Sequence, residues 1–411
     1  MNDVSIPPMR LLLIALYSLI CFAPPSHGAD WPNYHGPEHD NHYKQSDWST
    51  QWENNTPRNI WEAQVGTGFS SVSIVGDRVY TMGHKNGKDS VIALSFNSGE
   101  ELWRHSYDSD LGPNLYEGGP GSTPTVHKGH VFALSRWGDL FSLNAADGSL
   151  NWKRQLAKEE EVRIPEWGFN GSCLVSGDLI IVTAAANGIA FDKNTGKTVW
   201  KSDDGEAGYV SPTPVSIDGR EQVVVSSGDA YTGINPTDGA VIWQIPWFTR
   251  YGVNAAAPIV RNNKVFISSG YSKGAGLFEI EGQNTKQLWK HRKFRNQLNT
   301  SALIGDHLYG FDGDNSSRAF FKCVDWDTGK DLWDTEEPGF GSLLQAGDKL
   351  ILLSDKGVLI TVDPSPDSYK PLSKTKVIDG RCWTALVLTD SRLFVRNSTG
   401  RLICLDVSKS H

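Results

Sequence analysis

The sequence predicts an all-β protein folded as an eight-bladed β-propeller, and three observations carry this prediction. Tryptophans recur at steps of 49, 48, 43, 46 and 44 residues between Trp103 and Trp333. Most of them follow a short turn signal that ends in Gly, such as Asp147-Gly148 before Trp152. No segment has a helical hydrophobic period of useful length. Four short strands in each period of this length are typical of a propeller blade.

Two hairpin signals fill each period. The upstream signal places apolar runs on both sides of a Gly-Asp pair, as at Gly76-Asp77 and again at Gly177-Asp178 and Gly347-Asp348. The downstream signal is an apolar or alternating run that leads into Asn or Asp and then Gly, as in Asn97-Ser98-Gly99. Gly suits such turns because they require a positive φ. Each period is therefore predicted to hold four strands joined by tight turns.

The tryptophan at the end of each period is predicted to pack between blades rather than to contact a ligand. A blade cannot bury both of its faces alone. An indole offers a large flat surface, and its N–H needs a partner when it is buried. The predicted docking residues are Trp61, Trp103, Trp152, Trp200, Trp243, Trp289 and Trp333.

The number of blades follows from the segments that flank these periods. Six blades end in the tryptophans from Trp103 to Trp333, and residues 339–377 are predicted to form a seventh with a proline-containing turn. The eighth, residues 382–407, lacks an outer strand, which the strand around Trp61 can supply. This arrangement closes the ring and removes an exposed sheet edge. A seven-bladed ring is the alternative, if the last part of the chain forms fewer strands.

The first residues resemble an export signal. The apolar stretch Leu11–Ala23 is too short to span a bilayer, and small residues favour cleavage after Gly28. Cys21 follows two large apolar residues and does not fit a lipoprotein site. We therefore expect a periplasmic or secreted monomer. Its predicted parts are a signal peptide over residues 1–28, a leader over residues 29–57 and one propeller domain over residues 58–410.

Charge and cysteine content exclude several classes of function. The net charge of −8 and the absence of a long basic run argue against nucleic acid as a partner. The one basic cluster, Lys290–Arg295, is interpreted as a solvated loop. The four cysteines outside the signal segment have no metal-binding spacing and are predicted to be buried free thiols, although an oxidising compartment would permit disulfides. They are Cys173, Cys323, Cys382 and Cys404.

Two groups of potential metal ligands are present, and neither predicts a metal site. His35, His39 and His42 cluster in the leader, but a polar, flexible segment gives no rigid ligand geometry. Asp312 and Asp314 have a metal-like spacing without the Glu that a calcium loop needs, so they are interpreted as a turn. The sequence also contains no visible nucleophile–base arrangement and no phosphate-binding loop.

The repeat resembles the pyrroloquinoline-quinone (PQQ) type repeat of quinoprotein-like propellers. Asp30–Pro37 is similar to the leader of secreted bacterial members, and Gly121–Val126 and Gly380–Ala385 also resemble that subfamily. The resemblance implies an eight-bladed propeller with tryptophan-docked blades. It extends to the propeller lipoprotein of the outer-membrane β-barrel assembly machine, a non-catalytic scaffold that is lipidated.

The same resemblance does not bring enzyme activity with it. Quinone-dependent dehydrogenases of this superfamily hold their cofactor under a disulfide between adjacent cysteines and use calcium beside a catalytic Asp. This chain has no Cys-Cys pair and no stretch that matches their active-site motif. None of their catalytic residues is therefore carried over to this sequence.

A binding site is predicted where the innermost strands begin, at one mouth of the ring. Small polar residues are frequent there, and larger side chains come just before or among them. Aromatic rings beside amides and a few charges suit carbohydrate or peptide recognition. An aromatic-Gly-x-Asn motif occurs twice, in Trp167–Asn170 and Tyr251–Asn254. The candidate ligand-binding residues are Tyr116, Glu117, Trp167, Asn170, Tyr209, Tyr251, Asn254, Arg381 and Trp383.

Three hypotheses of function follow. The favoured one is a non-catalytic exported propeller that binds a protein or polysaccharide partner at the cell envelope and uses no cofactor. The alternative is a small PQQ-dependent alcohol or sugar dehydrogenase, which would require PQQ and calcium. A third is a lyase or hydrolase with paired carboxylates across the mouth, for which only Glu117 and Glu166 are candidates.

Overall fold

Eight sheets form the ring, as seen in a computed structural model that describes residues 30–52, 56–313 and 318–409. Seven sheets have four strands, and one gains a fifth from the leader. The eight-bladed prediction is confirmed. The seven-bladed alternative is wrong because the segment after Trp333 contributes strands to two further sheets. The predicted signal peptide, residues 1–28, lies outside the described residues.

Two strands precede the first blade, and the remaining strands follow in groups of four until the last blade. The leader strands are β1 (His42–Tyr43) and β2 (Arg58–Gln64). Blades 1 and 2 contain β3 (Ser73–Val75), β4 (Arg78–Lys85), β5 (Lys88–Ser95), β6 (Glu101–Asp108), β7 (Thr125–His127), β8 (His130–Leu134), β9 (Asp139–Asn144) and β10 (Leu150–Gln155). One helical turn comes next, α1 (Leu156–Glu159).

Blades 3 to 5 continue the same order from the innermost to the outermost strand. Blades 3 and 4 contain β11 (Leu174–Ser176), β12 (Leu179–Val182), β13 (Ile189–Asp192), β14 (Thr198–Lys201), β15 (Thr213–Ile217), β16 (Arg220–Ser226), β17 (Ala230–Ile234) and β18 (Val241–Pro246). Blade 5 contains β19 (Ile259–Arg261), β20 (Lys264–Ser269), β21 (Gly274–Glu281) and β22 (Asn284–His291).

Blades 6 to 8 complete the ring. Blade 6 contains β23 (Ala302–Ile304), β24 (His307–Asp312), β25 (Phe320–Asp325) and β26 (Asp331–Thr335). Blade 7 contains β27 (Gly341–Ala346), β28 (Lys349–Ser354), β29 (Val358–Val362) and β30 (Pro371–Lys376). Blade 8 contains β31 (Val387–Thr389), β32 (Arg392–Arg396) and β33 (Arg401–Asp406), with β2 as its outer strand.

The ring closes as the sequence predicted. Strand β2 pairs antiparallel with β33, and Trp61 lies opposite Cys404. A buried guanidinium adds to this closure: Arg396 of blade 8 donates to the carbonyls of Ser70 and Met82 at the start of blade 1, at 2.6 and 2.8 Å. Burial among neutral acceptors lowers the pKa of Arg396 to about 9. Both ends of the described chain are thereby tied into one sheet and its neighbour.

Six of the seven predicted docking tryptophans make the same contact with the following blade. Each indole N–H donates to a carbonyl in the turn before the next blade's outer strand, at 2.8–3.0 Å. Where that turn contains the repeat glycine, the indole lies flat against it, and an added Cβ on Gly148 would come within 2.5 Å of Trp103. The donor–acceptor pairs are Trp61–Phe96, Trp103–Ala145, Trp152–Lys193, Trp200–Pro236, Trp289–Trp326 and Trp333–Ser365.

Trp243 departs from this pattern. Its indole N–H donates to Oε1 of Gln222 within its own blade, at 2.7 Å, and its ring covers Gly233. The reason lies in the next blade, where Glu281 pairs directly with Asn284 in a two-residue hairpin. That short turn replaces the longer turn whose carbonyl accepts the indole N–H from the other six docking tryptophans.

The leader is packed inside the ring, so the expectation of a flexible leader is wrong. Trp31 exchanges backbone hydrogen bonds with Ile74 of blade 1, and the Pro32 carbonyl accepts from blade 2. The Asn41 amide donates to the Leu343 carbonyl of blade 7, after which β1 pairs in parallel with β27. The leader therefore contacts innermost strands of several blades and crosses the central channel.

All four cysteines of the described chain are buried free thiols, as predicted. Burial raises the pKa of the Cys173 thiol to about 12. Such thiols are poor nucleophiles because little thiolate forms at neutral pH.

Candidate functional site

A cavity of about 250 Å³ lies at the mouth of the ring. Every one of the eight connections between blades contributes to its wall, because each connection passes the channel before the next innermost strand begins. The leader and one hairpin of blade 5 add to the wall. The lining residues are Tyr34, Phe69, Asn114, Leu115, Tyr116, Gly121, Trp167, Asn170, Tyr209, Ser211, Val253, Ala255, Ala257, Tyr271, Gln297, Leu298, Phe340, Trp383 and Ala385.

Aromatic rings form two arcs around this cavity. The first arc joins blades 7, 8, 1 and 2, through ring-centroid distances of 6.1, 5.8 and 5.3 Å. The second joins blades 3, 4 and 5, through distances of 6.2, 6.3 and 4.9 Å. These separations and the mostly edge-on angles are the favourable geometries for aromatic pairs. The first arc is Phe340–Trp383–Phe69–Tyr116, and the second is Tyr209–Trp167–Tyr251–Tyr271.

Tyr34 of the leader forms the floor. It lines the mouth cavity and also a second, much smaller pocket that contains His35 and the start of blade 3. Its ring stacks on His35 with centroids 4.1 Å apart. Burial raises the pKa of Tyr34 to about 12 and lowers that of His35 to about 3, so both are neutral at pH 7. The cavity is consequently closed below by an uncharged aromatic ring.

The cavity wall carries hydrogen-bonding groups without formal charge. Among the described residues that line it there is no Asp, Glu, Lys, Arg or His. Oε1 of Gln297 and Nε1 of Trp383 are buried atoms without a hydrogen-bond partner in the described chain. A buried polar atom without a partner is costly, so these atoms are suited to contacts with a ligand. The arrangement favours an uncharged ligand group held between aromatic faces.

The nine candidate residues fall into three groups in the structure. Five of them line the cavity, namely Tyr116, Trp167, Asn170, Tyr209 and Trp383. Tyr251 lies at the rim, where its ring contacts those of Trp167 and Tyr271. The other three do not reach the cavity wall, namely Glu117, Asn254 and Arg381.

Asn254 is removed from the candidate set by its burial. Its side chain is fully buried, and its amide donates to the carbonyls of Ser227 and Trp247, each at 2.9 Å. Its Oδ1 accepts from the Ser269 hydroxyl at 2.7 Å. The same kind of bond holds Asn170, whose amide donates to the Trp167 carbonyl at 2.9 Å. The repeated aromatic-Gly-x-Asn motif thus braces the connections, and in one blade it also faces the cavity.

Glu117 and Arg381 meet each other at the rim. Their ion pair spans 2.8 Å and joins the connection before blade 2 to the one before blade 8. Arg381 also lies over the Trp383 ring, 4.4 Å from its centroid. Both side chains are about one-third exposed, so the pair contributes little free energy but orients Trp383. Glu117 and Arg381 therefore support the first aromatic arc.

A buried charged residue, Arg136, contacts the Tyr116 end of the first aromatic arc. Arg136 is 2% exposed and donates to the Tyr116 hydroxyl while its guanidinium lies over the Tyr116 ring. Behind it, Asp89 bonds His84 at 2.7 Å and accepts from Ser109 at 2.8 Å. Burial raises the pKa of Asp89 against the opposing effect of these bonds. The Ser109 hydroxyl contacts the carboxylate rather than the imidazole, so this cluster lacks the order of a catalytic triad.

The geometry does not favour the catalytic hypotheses. Neither Glu117 nor Glu166 lines the cavity, and Glu117 is engaged by Arg381. Within residues 30–52, 56–313 and 318–409, no group of three or more potential ligands is placed to hold a metal ion. The Asp312 carboxylate is bound by Arg295 at 2.7 Å, while position 314 lies outside the described residues. PQQ carries three carboxylates and is used with calcium. The described part of this wall has no cation and no carboxylate, so it does not fit PQQ.

Sequence reasoning missed Tyr34, Phe69, Gln297 and Phe340 as lining residues. Each belongs to a different segment of the chain, so no local motif unites them. One signal was available for Tyr34: its segment is rich in aromatic residues, which are unusual in a solvated leader. In the part of the chain that the structure describes, no helix is long and apolar enough to cross a membrane.

The family described as "Outer membrane protein assembly factor BamB" matches residues 45–163 and 87–335. A relative of that name from Shewanella oneidensis is 26% identical over 84% of this chain and 88% of its own length. One from Alkalilimnicola ehrlichii is 28% identical over 43% of this chain, and the aligned part spans 42% of that relative. A quinoprotein ethanol dehydrogenase from Pseudomonas aeruginosa is 29% identical over 35% of this chain and 25% of its own length.

Two solved structures illustrate the shared fold. BamB from Moraxella catarrhalis aligns with a TM-score of 0.59 at 16% identity, over 85% of this chain and 99% of that one. A quinohemoprotein alcohol dehydrogenase from Comamonas testosteroni aligns with a TM-score of 0.65 at 12% identity, over 93% and 81%. At these identities the likeness shows the fold alone, since propellers host unrelated functions.

Proposed function

Because the chain belongs to the family described as outer membrane protein assembly factor BamB, we propose that it is a non-catalytic propeller scaffold that holds a protein partner at the cell envelope. The proposed place of action is the periplasm, after removal of residues 1–28. Residues 29–57 then act as a leader that plugs the ring, and residues 58–410 form the propeller domain.

One observation carries the proposal. The mouth cavity is built by all eight connections, and the described residues that line it are aromatic, aliphatic or neutral polar, without a formal charge. Such a wall offers apolar area and orientation, which suit binding, and it offers no acid, base or nucleophile placed for a reaction. The names of the relatives favour a protein over a polysaccharide as the partner.

Site-specific photo-crosslinking in the producing cell tests this proposal. Leu115 is 93% exposed at the mouth, so a photo-reactive residue there reports on what binds this end of the ring. Lys197 lies in the exposed turn between β13 and β14, at the other end, and provides the matched control. We expect position 115 to crosslink to a protein of outer-membrane assembly and position 197 not to do so. Crosslinks from position 197 alone would contradict the mouth as the docking end.

A further inference from the structure

The basic cluster Lys290–Arg295 is only partly neutralised by the fold. His291 bonds Asp331 at 2.8 Å, Arg295 bonds Asp312 at 2.7 Å, and Phe294 is buried. The remaining cations of the cluster have no carboxylate partner in the described chain. They join two further cations of blades 4 and 5, and we call this set the basic rim. Its members are Arg250, Lys273, Lys290, Arg292 and Lys293.

Two members of the basic rim are held close together by an indole rather than by an acid. The ammonium groups of Lys273 and Lys290 lie 4.5 and 5.5 Å from the Trp247 ring centroid. Burial, and secondarily the charge of Lys290, lowers the pKa of Lys273. Two like charges without a counterion repel each other, so a carboxylate placed between them is stabilised by both.

The basic rim is continuous with the mouth cavity. Arg250 lies over the Tyr251 ring, which contacts Tyr271 at 4.9 Å. Tyr271 lines the cavity and precedes Lys273 by two residues in the same hairpin. Phe248, which is 66% exposed, extends the apolar surface outwards from this wall. A ligand that leaves the cavity on the blade 5 side therefore meets exposed aromatic surface and then unpaired cations.

The basic rim is a positively charged patch on a chain whose net charge is negative. The chain carries 47 acidic and 39 basic residues, so its net field repels anions. A cluster of unpaired cations within such a chain attracts an acidic partner to one place and in one orientation. Between blades 2 and 8, by contrast, Glu117 and Arg381 already pair with each other.

We propose that the mouth cavity and the basic rim together bind an acidic polypeptide segment, with one apolar or aromatic side chain in the cavity and the flanking carboxylates on the basic rim. This inference rests on the proposed scaffold function and names the chemistry of its partner. The cavity of about 250 Å³ is below the range of roughly 300–1,000 Å³ for drug-sized ligands, so it accepts one side chain. In protein interfaces, a few buried anchor residues supply most of the binding energy.

Fluorescence anisotropy of the full chain with a labelled synthetic peptide tests the proposal. The probe has one central phenylalanine flanked by aspartate and glutamate, and two control peptides replace the phenylalanine by alanine or the acids by their amides. We expect each control peptide to bind at least tenfold more weakly. Affinity for the acidic probe should fall as salt is raised, because the rim charges are exposed and screened.

Charge-reversal variants locate the binding. The double variant K273E/K290E should bind the acidic probe at least tenfold more weakly, and this binding should no longer depend on salt. The matched control K128E/K197E makes the same change of net charge in exposed turns at the other end of the ring and should leave affinity within twofold. Equal weakening by both double variants, or equal binding of the alanine peptide, would overturn the proposal.

The two proposals fail separately. Crosslinks from position 115 to an assembly protein, combined with no binding of the acidic probe, would keep the scaffold function and reject the acidic segment. Probe binding without those crosslinks would do the reverse. Displacement of the probe by a neutral oligosaccharide at similar concentration would reassign the cavity to a sugar.

Discussion

The two ends of the ring are built on opposite principles. At the turn end, six indoles repeat one contact with a carbonyl of the next blade, and several repeat a glycine beneath the ring. At the mouth, eight connections contribute different side chains to one cavity. The periodic part of the sequence therefore specifies the scaffold, whereas the residues suited to binding do not repeat.

The largest expected effect comes from removing the same residue type at each end. Trp103→Ala deletes a buried indole and its hydrogen bond to Ala145, so we expect a loss of about 3–5 kcal/mol in the free energy of unfolding. Trp383→Ala removes a half-buried indole whose N–H has no partner among the described residues, so we expect a loss of about 1–2 kcal/mol in the free energy of unfolding. Urea unfolding measures both free energies, and equal losses would show that the two ends of the ring contribute alike to stability.

The converse is expected for binding. Trp383→Ala should lower the affinity for the acidic phenylalanine peptide at least tenfold, because the first aromatic arc loses its central ring. Trp103→Ala should leave affinity unchanged at temperatures where the variant is folded. A loss of affinity in both variants would mean that the mouth depends on the turn end.

A smaller effect is expected from the glycine beneath the indole. Gly148 and Gly129 both have positive φ, of 72° and 81°, but an added Cβ meets Trp103 at 2.5 Å only at Gly148. Gly129→Ala should therefore cost about 1 kcal/mol of backbone strain. Gly148→Ala should cost about 1–3 kcal/mol more because it also overpacks the indole. Equal urea midpoints for the two variants would show that the indole can move away from the turn.

The turn end could be predicted from the sequence because its information is local. Asp147-Gly148 and Trp152 lie within a few residues, and both the turn and the docking follow from them. Even the closing strand around Trp61 followed from counting periods. The exception at Trp243 was also visible in principle, since the copy before Trp289 has no glycine after Asn284.

The mouth could be predicted only in part because its information is not local. Tyr116, Trp167 and Tyr209 were found by their position before innermost strands, and they line the cavity. Tyr34 and Gln297 are about 260 residues apart in the sequence, and only the closed ring brings them to one wall. Exposure likewise required the structure: Asn254 shares a motif with Asn170 but is fully buried.

We expect acidic pH to destabilise the leader, which forms the floor of the mouth cavity. Burial lowers the pKa of His35 to about 3 and that of His39 to about 4, whereas the unfolded value is near 6.5. The unfolded chain thus binds more protons below pH 6.5, and stability is lost as pH falls towards the folded values. Between pH 7 and pH 5, the titration of His35 should lower the free energy of unfolding by about 2 kcal/mol.

Urea midpoints at these two pH values measure the effect, with His35→Gln as the control. The variant keeps a polar side chain that does not titrate, so its midpoint should depend less on pH. An unchanged pH dependence in the variant would assign the acid effect to other groups, with His39 as the nearest candidate in the leader.

The last prediction is that PQQ and calcium have no effect on this protein. This result would distinguish its mouth cavity from the cofactor sites of quinone enzymes with the same fold. As far as the structure describes the wall, it has no cation for the three carboxylates of PQQ and no carboxylate for calcium. Titration of the purified chain with PQQ and calcium should therefore give no bound quinone absorbance and no shift of the thermal midpoint, because only a ligand that binds the folded state raises it. A stoichiometric quinone spectrum that Trp383→Ala abolishes would place the cofactor in the cavity and reverse the assignment of this end of the ring to a protein partner.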